Sequence, residues 1–224
     1  MKKHLLPLVA LLVVADTALA QLETEGPFGS KVRLEVSDRM RYERFAWFET
    51  DPASATRDYD YGFFANRLQL GLRVTGEPLE FFVQYQHSLV TSIPDQSPGP
   101  GGAYYTNSPD KNQEKGILRN IWLRWKNPLG AQGLSLTAGR QIFRDGLEAP
   151  STDPTLLWLQ KSRISERLIG PFDYTHVGRS FDGGQVAFDN TAMNVTGFAF
   201  TPTWGGYEIN GNRELEIGVA GVSA

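Results

Sequence analysis

The chain of 224 residues contains no cysteine, which excludes a disulfide framework, a thiolate metal site and a lipidated cysteine near the start. Beyond residue 20 it also lacks any apolar run near the ~18 residues that a transmembrane helix needs. Histidine is scarce: only His87 and His176 follow residue 20, and neither has a partner at metal-ligand spacing. There is no G-x-S-x-G or H-E-x-x-H pattern, and acidic pairs such as Asp58/Asp60 and Glu214/Glu216 are ordinary among this many acids. No enzyme, metal or cofactor is expected.

The first 20 residues read as a secretion signal. Lys2 and Lys3 are basic, Leu5 to Ala15 apolar, and Ala18-Leu19-Ala20 a small-x-small cleavage site. Taking Lys2, Lys3 and Asp16 from 22 basic and 25 acidic residues leaves 20 against 24, a net charge of −4. Nucleic acid is therefore not an expected partner. Residues 21–224 form either a soluble exported protein or a membrane β-barrel.

Period two favours the barrel, because alternate residues of a strand face opposite sides. From Lys31 to Glu43, Val32, Leu34, Val36, Met40 and Tyr42 alternate with Lys31, Arg33, Glu35, Arg39, Arg41 and Glu43. Tyr61 to Thr75 sets Leu68, Leu70, Leu72 and Val74 against Arg67, Gln69 and Arg73. Leu79 to Ser88 sets Phe81, Val83 and Tyr85 against Glu80, Gln84 and Gln86. Ile117 to Lys126 sets Ile117, Ile121, Leu123 and Trp125 against Asn120, Arg124 and Lys126. Leu134 to Phe143, Gly184 to Asp189, Met193 to Thr201 and Glu214 to Val222 are weaker runs. Connections alternate long and short, as in an outer-membrane barrel whose N-terminus is periplasmic. Asp153 and Pro154 begin a helix in the longest connection, which Gly170-Pro171 ends. Phe45, Trp47, Phe48, Tyr59, Tyr61, Phe63 and Phe64 bracket the first long loop, where they form either an interfacial girdle or the packing of a barrel end.

Gly139-Arg140-Gln141 and Glu166 to Gly183, which holds Glu166-Arg167-Leu168-Ile169-Gly170 and Gly178-Arg179-Ser180-Phe181-Asp182-Gly183, carry a family likeness. In that order they resemble the alginate-export family of bacterial outer-membrane barrels. Tyr174 departs from the Trp of that pattern, and residues 146 to 166 read as an insertion. The resemblance implies a passive channel for an alginate-like anionic polysaccharide, with Arg140, Arg167, Arg179 and Asp182 clustered near the pore. It also implies barrel-assembly machinery and outer-membrane lipid as partners. Family barrels are longer, so residues 21–224 are expected to be the N-terminal portion of a larger barrel.

The expected fold is thus all-β: an antiparallel up-and-down transmembrane β-barrel, incomplete at about eight strands, with one short helix in a long outer loop. Arg33, Arg39, Arg41, Arg67, Arg73 and Arg124 all fall on the parity away from lipid and would line the lumen. Their planar forks suit the carboxylates of an anionic saccharide or another acidic solute. Alternatively they brace the wall by pairing with Glu35, Glu43 and Glu80. Strict alternation aims Arg140 at lipid, and a bulge at Gly139 would return it to the lumen. A similar break at Gly183-Gly184 is expected beside Asp182. The rival functional readings are a small eight-stranded structural or adhesion barrel without a pore, and a periplasmic saccharide-processing enzyme.

Overall fold

A computed structural model describes residues 13–14, 18–47, 58–144, 151–164, 169–190 and 192–223. Nine strand positions form one antiparallel sheet of consecutive neighbours. The elements are β1 (Val13–Val14), β2 (Ala18–Glu25), β3 (Lys31–Ala46), β4 (Asp60–Thr75), β5 (Leu79–Thr91), α1 (Pro100–Asn107), β6 (Asn112–Lys126), β7 (Leu134–Gln141), α2 (Pro154–Leu159), β8 (Phe181–Asp189), β9 (Asn194–Pro202) and β10 (Val219–Ser223). Short β1 and β2 share the position beside β3, so ten strands fill nine places. No pairing joins β10 to β2, and the sheet is open.

Two expectations change. The strand count is nine positions rather than about eight, because β2 reaches back into the proposed cleavage site at Ala18 to Ala20. Nor do the described strands close into a barrel, since period two assigns faces but closure needs an edge-to-edge pairing that no single strand encodes.

The short connections lie at one end and the long ones at the other. Gly76 donates its N–H to the Leu79 carbonyl at 3.0 Å to close the β4–β5 turn. In the β8–β9 turn Asn190 Oδ1 accepts from the backbone of Ala192 and Met193 at 2.8 and 2.9 Å, an Asx turn that fixes the reversal. The long connections carry the helices. In α2 the Asp153 carboxylate accepts from Thr155 and Leu156 N–H at 2.9 Å each, as its position before Pro154 predicts. The helix stops at Leu159 rather than near Gly170, passing into a π turn over Gln160–Ile164. Asp153→Ala should cost α2 about 1 kcal/mol, read as faster amide exchange at Thr155 and Leu156. The β5–β6 connection holds α1, so the long connections carry two short helices rather than the one expected.

The sheet is staggered. Thr75 pairs with Glu80, and Glu80 with Arg124, but β6 continues two residues past that row to Lys126. Lys126 pairs with Ser135, and Ser135 with Ala187, yet β8 runs two residues further again to Asp189. From β4 to β8 the lower edge therefore steps about one residue per strand, whereas β2, β3 and β4 end level with one another, as do β8 and β9. With a rise near 3.3 Å and a strand spacing near 4.8 Å, the stepped stretch corresponds to a tilt of about 35°.

The two faces of the sheet differ in kind. Leu34, Val36, Met40, Tyr42, Leu70, Leu79, Tyr85, Leu123, Trp125 and Val186 are exposed on one face. The opposite face holds the buried residues, among them Arg39, Phe63, Ala65, Phe82, Gln86, Ser88 and Asn120. Arginine, glutamine, serine and asparagine side chains are covered on one face while the other is bare and apolar, the reverse of the usual water-soluble arrangement.

Candidate functional site

On the covered face the register sets like charges against each other: Arg33 is the cross-strand partner of Arg73, and Arg39 of Arg67. Directly opposed cations repel, so each pair needs counter-charge. Arg33 reaches Glu23 of β2 at 2.7 Å. Arg73 lies between Glu35 at 3.2 Å and Glu80 at 2.9 Å, with its guanidinium 4.2 Å from the Phe82 ring centroid. Arg124 donates to Thr137 Oγ1 at 3.0 Å and stands 3.9 Å from Glu80.

The pair Arg39 and Arg67 is met by a segment from outside the sheet. Residues 169–180, from the β7–β8 connection, fold inward along β3 to β6. Asp173 accepts from Arg119 at 2.9 Å and from Arg67 at 3.4 Å, and its other oxygen accepts from Arg144. Arg39 donates to the carbonyls of Asp173 and Thr175, and Arg41 to that of Tyr174 at 2.9 Å. Gln86 Nε2 donates to the Val177 carbonyl at 2.7 Å, and Ser88 Oγ to that of His176 at 3.3 Å. Within the segment, Thr175 N–H and Oγ1 both bond the Phe172 carbonyl, closing a tight turn that presents Asp173 to the sheet.

Arg119 is the least exposed charged side chain here, at 0 %. Strict alternation misses it, because a register shift between Gln84 and Tyr85 inserts an extra residue into β6. Arg119 and Asn120 then both turn inward, and Ile117, expected on the apolar face, is buried at 2 %. A sequence signal was available: Leu118 and Ile121 are three apart with two adjacent polar residues between them, a break in period two.

Burial raises the Asp173 carboxyl, but Arg119, Arg67 and Arg144 outweigh it and hold the group below its ordinary value. Burial also depresses His176, against the opposing pull of Glu43, whose Oε1 lies 2.9 Å from Nε2. Next to these residues is a cavity of about 400 Å³ lined by Arg41, Glu43, Phe45, Tyr104, Tyr174 and Tyr207, among others.

Two of the family-motif residues meet. Arg140 and Asp182 are direct cross-strand partners on the exposed face, bonded at 2.7 and 2.5 Å, and Asn212 Oδ1 accepts from Arg140 at 2.8 Å. Arg179 stands 4.8 Å over the Phe172 ring. Arg167 lies outside the described residues. The expected bulges at Gly139 and Gly183-Gly184 do not occur, because pairing continues through both without a shift. Irregular backbone is present all the same: φ is +120° at Gly139 and +151° at Gly183. A Cβ at Gly139 would stand 2.2 Å from the Ile121 carbonyl oxygen, so glycine serves close strand approach, not a change of face. The aromatic girdle needs a similar correction. Phe45, Tyr61 and Phe63 stack on one another on the covered face, and Trp47 stacks on Phe45, since they share the parity of the arginines. Phe48 lies outside the described residues.

Among the described residues no group of three or more His, Asp or Glu could hold a metal ion, and no helix is long and apolar enough to cross a membrane. No family model, curated protein or solved structure matches the chain. The likeness to alginate-export barrels therefore rests on its motifs.

Proposed function

We propose that this sheet is part of the wall of a bacterial outer-membrane β-barrel, a channel for passive passage of an alginate-like anionic saccharide or another acidic solute. The carrying observation is the reversed distribution of polarity: aliphatic side chains bare on one face, guanidinium groups covered on the other. The stagger from β4 to β8 supports the reading, since membrane barrels tilt their strands by roughly 35–45°. Open edges at β2 and β10 would be costly in lipid. On this reading, further strands complete the wall, with outer-membrane lipid and barrel-assembly machinery as partners. Arg140, on the lipid side, is neutralised by Asp182.

Anion preference follows from a charge surplus. Among the described residues around 171–178, the guanidinium groups of Arg39, Arg41, Arg67 and Arg119 outnumber the carboxylates of Glu43 and Asp173. A second reading, a structural barrel without a pore, is favoured by the same segment, which fills part of the covered face and engages several of the arginines.

Planar-bilayer recording separates the two. The channel reading expects conductance with anions preferred over cations, and Arg33→Gln with Arg124→Gln moving the permeability ratio toward unity. Absence of conductance supports the barrel without a pore, and conductance with unchanged selectivity removes the role of the arginines.

A further inference from the structure

The bare face is not wholly apolar, and its charges are unequally served. Among the described residues of that face, Arg44 is paired with Asp60 at 3.0 Å and Arg140 with Asp182 at 2.5 Å, and His87 stands 3.7 Å from Glu114. Asp38 meets no cation among those residues. Its partner is a neutral amide: Asn66 Nδ2 donates to Asp38 Oδ1 at 2.6 Å. Asp38 is the eighth of the sixteen residues of β3, so it lies at mid-height of that strand, away from both rims. A carboxylate there on a lipid-facing wall is costly, and such groups are kept where protein supplies a partner.

The register places a complementary group on the same row. Leu68 is the cross-strand partner of Asp38 on β3 and of His87 on β5. Acid and imidazole therefore flank Leu68, each about one strand spacing of 4.8 Å away. A half-turn about an axis in front of Leu68 exchanges the sides of β3 and β5. A second copy so turned sets its His87 opposite Asp38 and its Asp38 opposite His87, the self-complementary arrangement that a two-fold contact requires. His87 has a ring N–H to donate in either charge state. Met40 on β3 and Tyr85 on β5, both exposed on this face, add apolar area beside the row.

We propose that the β3–β5 stretch of the bare face is the contact between two copies of this chain, with Asp38 of each copy accepting a hydrogen bond from His87 of the other on either side of Leu68. The mid-height carboxylate then faces protein and not acyl chains. The proposal rests on reading the bare face as membrane-embedded, and adds the partner and the residues that select it.

The test is energy transfer between donor- and acceptor-labelled copies of the full chain in lipid vesicles. The chain has no cysteine, so Leu129→Cys, in the exposed turn after β6, gives one labelling position. Transfer above that of randomly dispersed protein is expected. Asp38→Asn and His87→Ala should each raise the protein-to-lipid ratio needed for half-maximal transfer by about tenfold or more, since each removes a hydrogen bond to a charged group from both halves of the contact. His87→Gln, which keeps an N–H donor, should associate more tightly than His87→Ala. Asp38→Asn should also resist urea at least as well as wild type when monomeric, because it takes a charge out of lipid. Should Asp38→Asn fail to fold, His87→Ala against His87→Gln gives the answer. Dispersed wild-type protein, with lipid alone on this face, overturns the proposal, as does unchanged association of Asp38→Asn and His87→Ala. Val186→Arg, on β8 outside the patch, reports lipid contact by itself. A large loss of stability there with dispersed wild-type protein retains the membrane reading and discards the contact. Association with Val186→Arg tolerated retains the contact and discards the membrane.

Discussion

Leu70→Arg should cost about 2–4 kcal/mol if the bare face meets lipid, because a cation near the bilayer midplane loses its hydration there. Leu70 is 44 % exposed and lies near the middle of β4, flanked on the same face by Leu68 and Leu72. In water the identical change at an exposed site would shift stability by no more than about 0.5 kcal/mol. The two environments predict results differing severalfold, so a urea titration of the protein folded into lipid vesicles decides between them. A neutral outcome would remove the membrane reading and with it the channel.

Asp173→Ala is expected to free the inward segment. Deleting one partner of a partly buried ion cluster leaves uncompensated charge and costs about 2–3 kcal/mol, below the ~3–5 of a fully buried pair. The loss should fall on residues 169–180 and spare the sheet, whose strands are paired to one another. Limited proteolysis should cut the variant there, while β3 to β9 keep their amide protection. Acid should mimic the substitution. The carboxyl is held below its ordinary value of 3.8, so its contribution is complete above pH 3.8 and lost as pH falls through the lower folded-state value. Protease sensitivity of wild-type residues 169–180 should therefore rise only below pH 3.8, and Asp173→Asn should show no such transition. If wild type and variant were cut alike at neutral pH, Asp173 would not be the anchor.

How much of this was legible in the chain depends on the range of the interaction. Alternation in β3, β4 and β5 is nearly unbroken, so the shared face of Arg33, Arg39, Arg41, Arg67 and Arg73 followed from parity. The α2 start was legible because an N-cap is local: Asp153 reaches only its neighbours Thr155 and Leu156. Arg119 was missed because a single inserted residue on β6 reverses parity without altering composition. Gly139 was misread because glycine serves both a bulge and a close strand approach, and only the Ile121 carbonyl at 2.2 Å from a would-be Cβ distinguishes them.

The sequence by itself determined which side chains share a face, where the strands turn and which end carries the long connections. These follow from the pleat and from Gly, Pro and Asn backbone preferences acting over a few residues. Only the tertiary structure decided that the described strands do not pair edge to edge and that Arg140 meets Asp182 on the bare side. It also decided that Asp173 enters among Arg67, Arg119 and Arg144. Each of these joins residues tens of positions apart, and their separation in the chain leaves no local pattern to read.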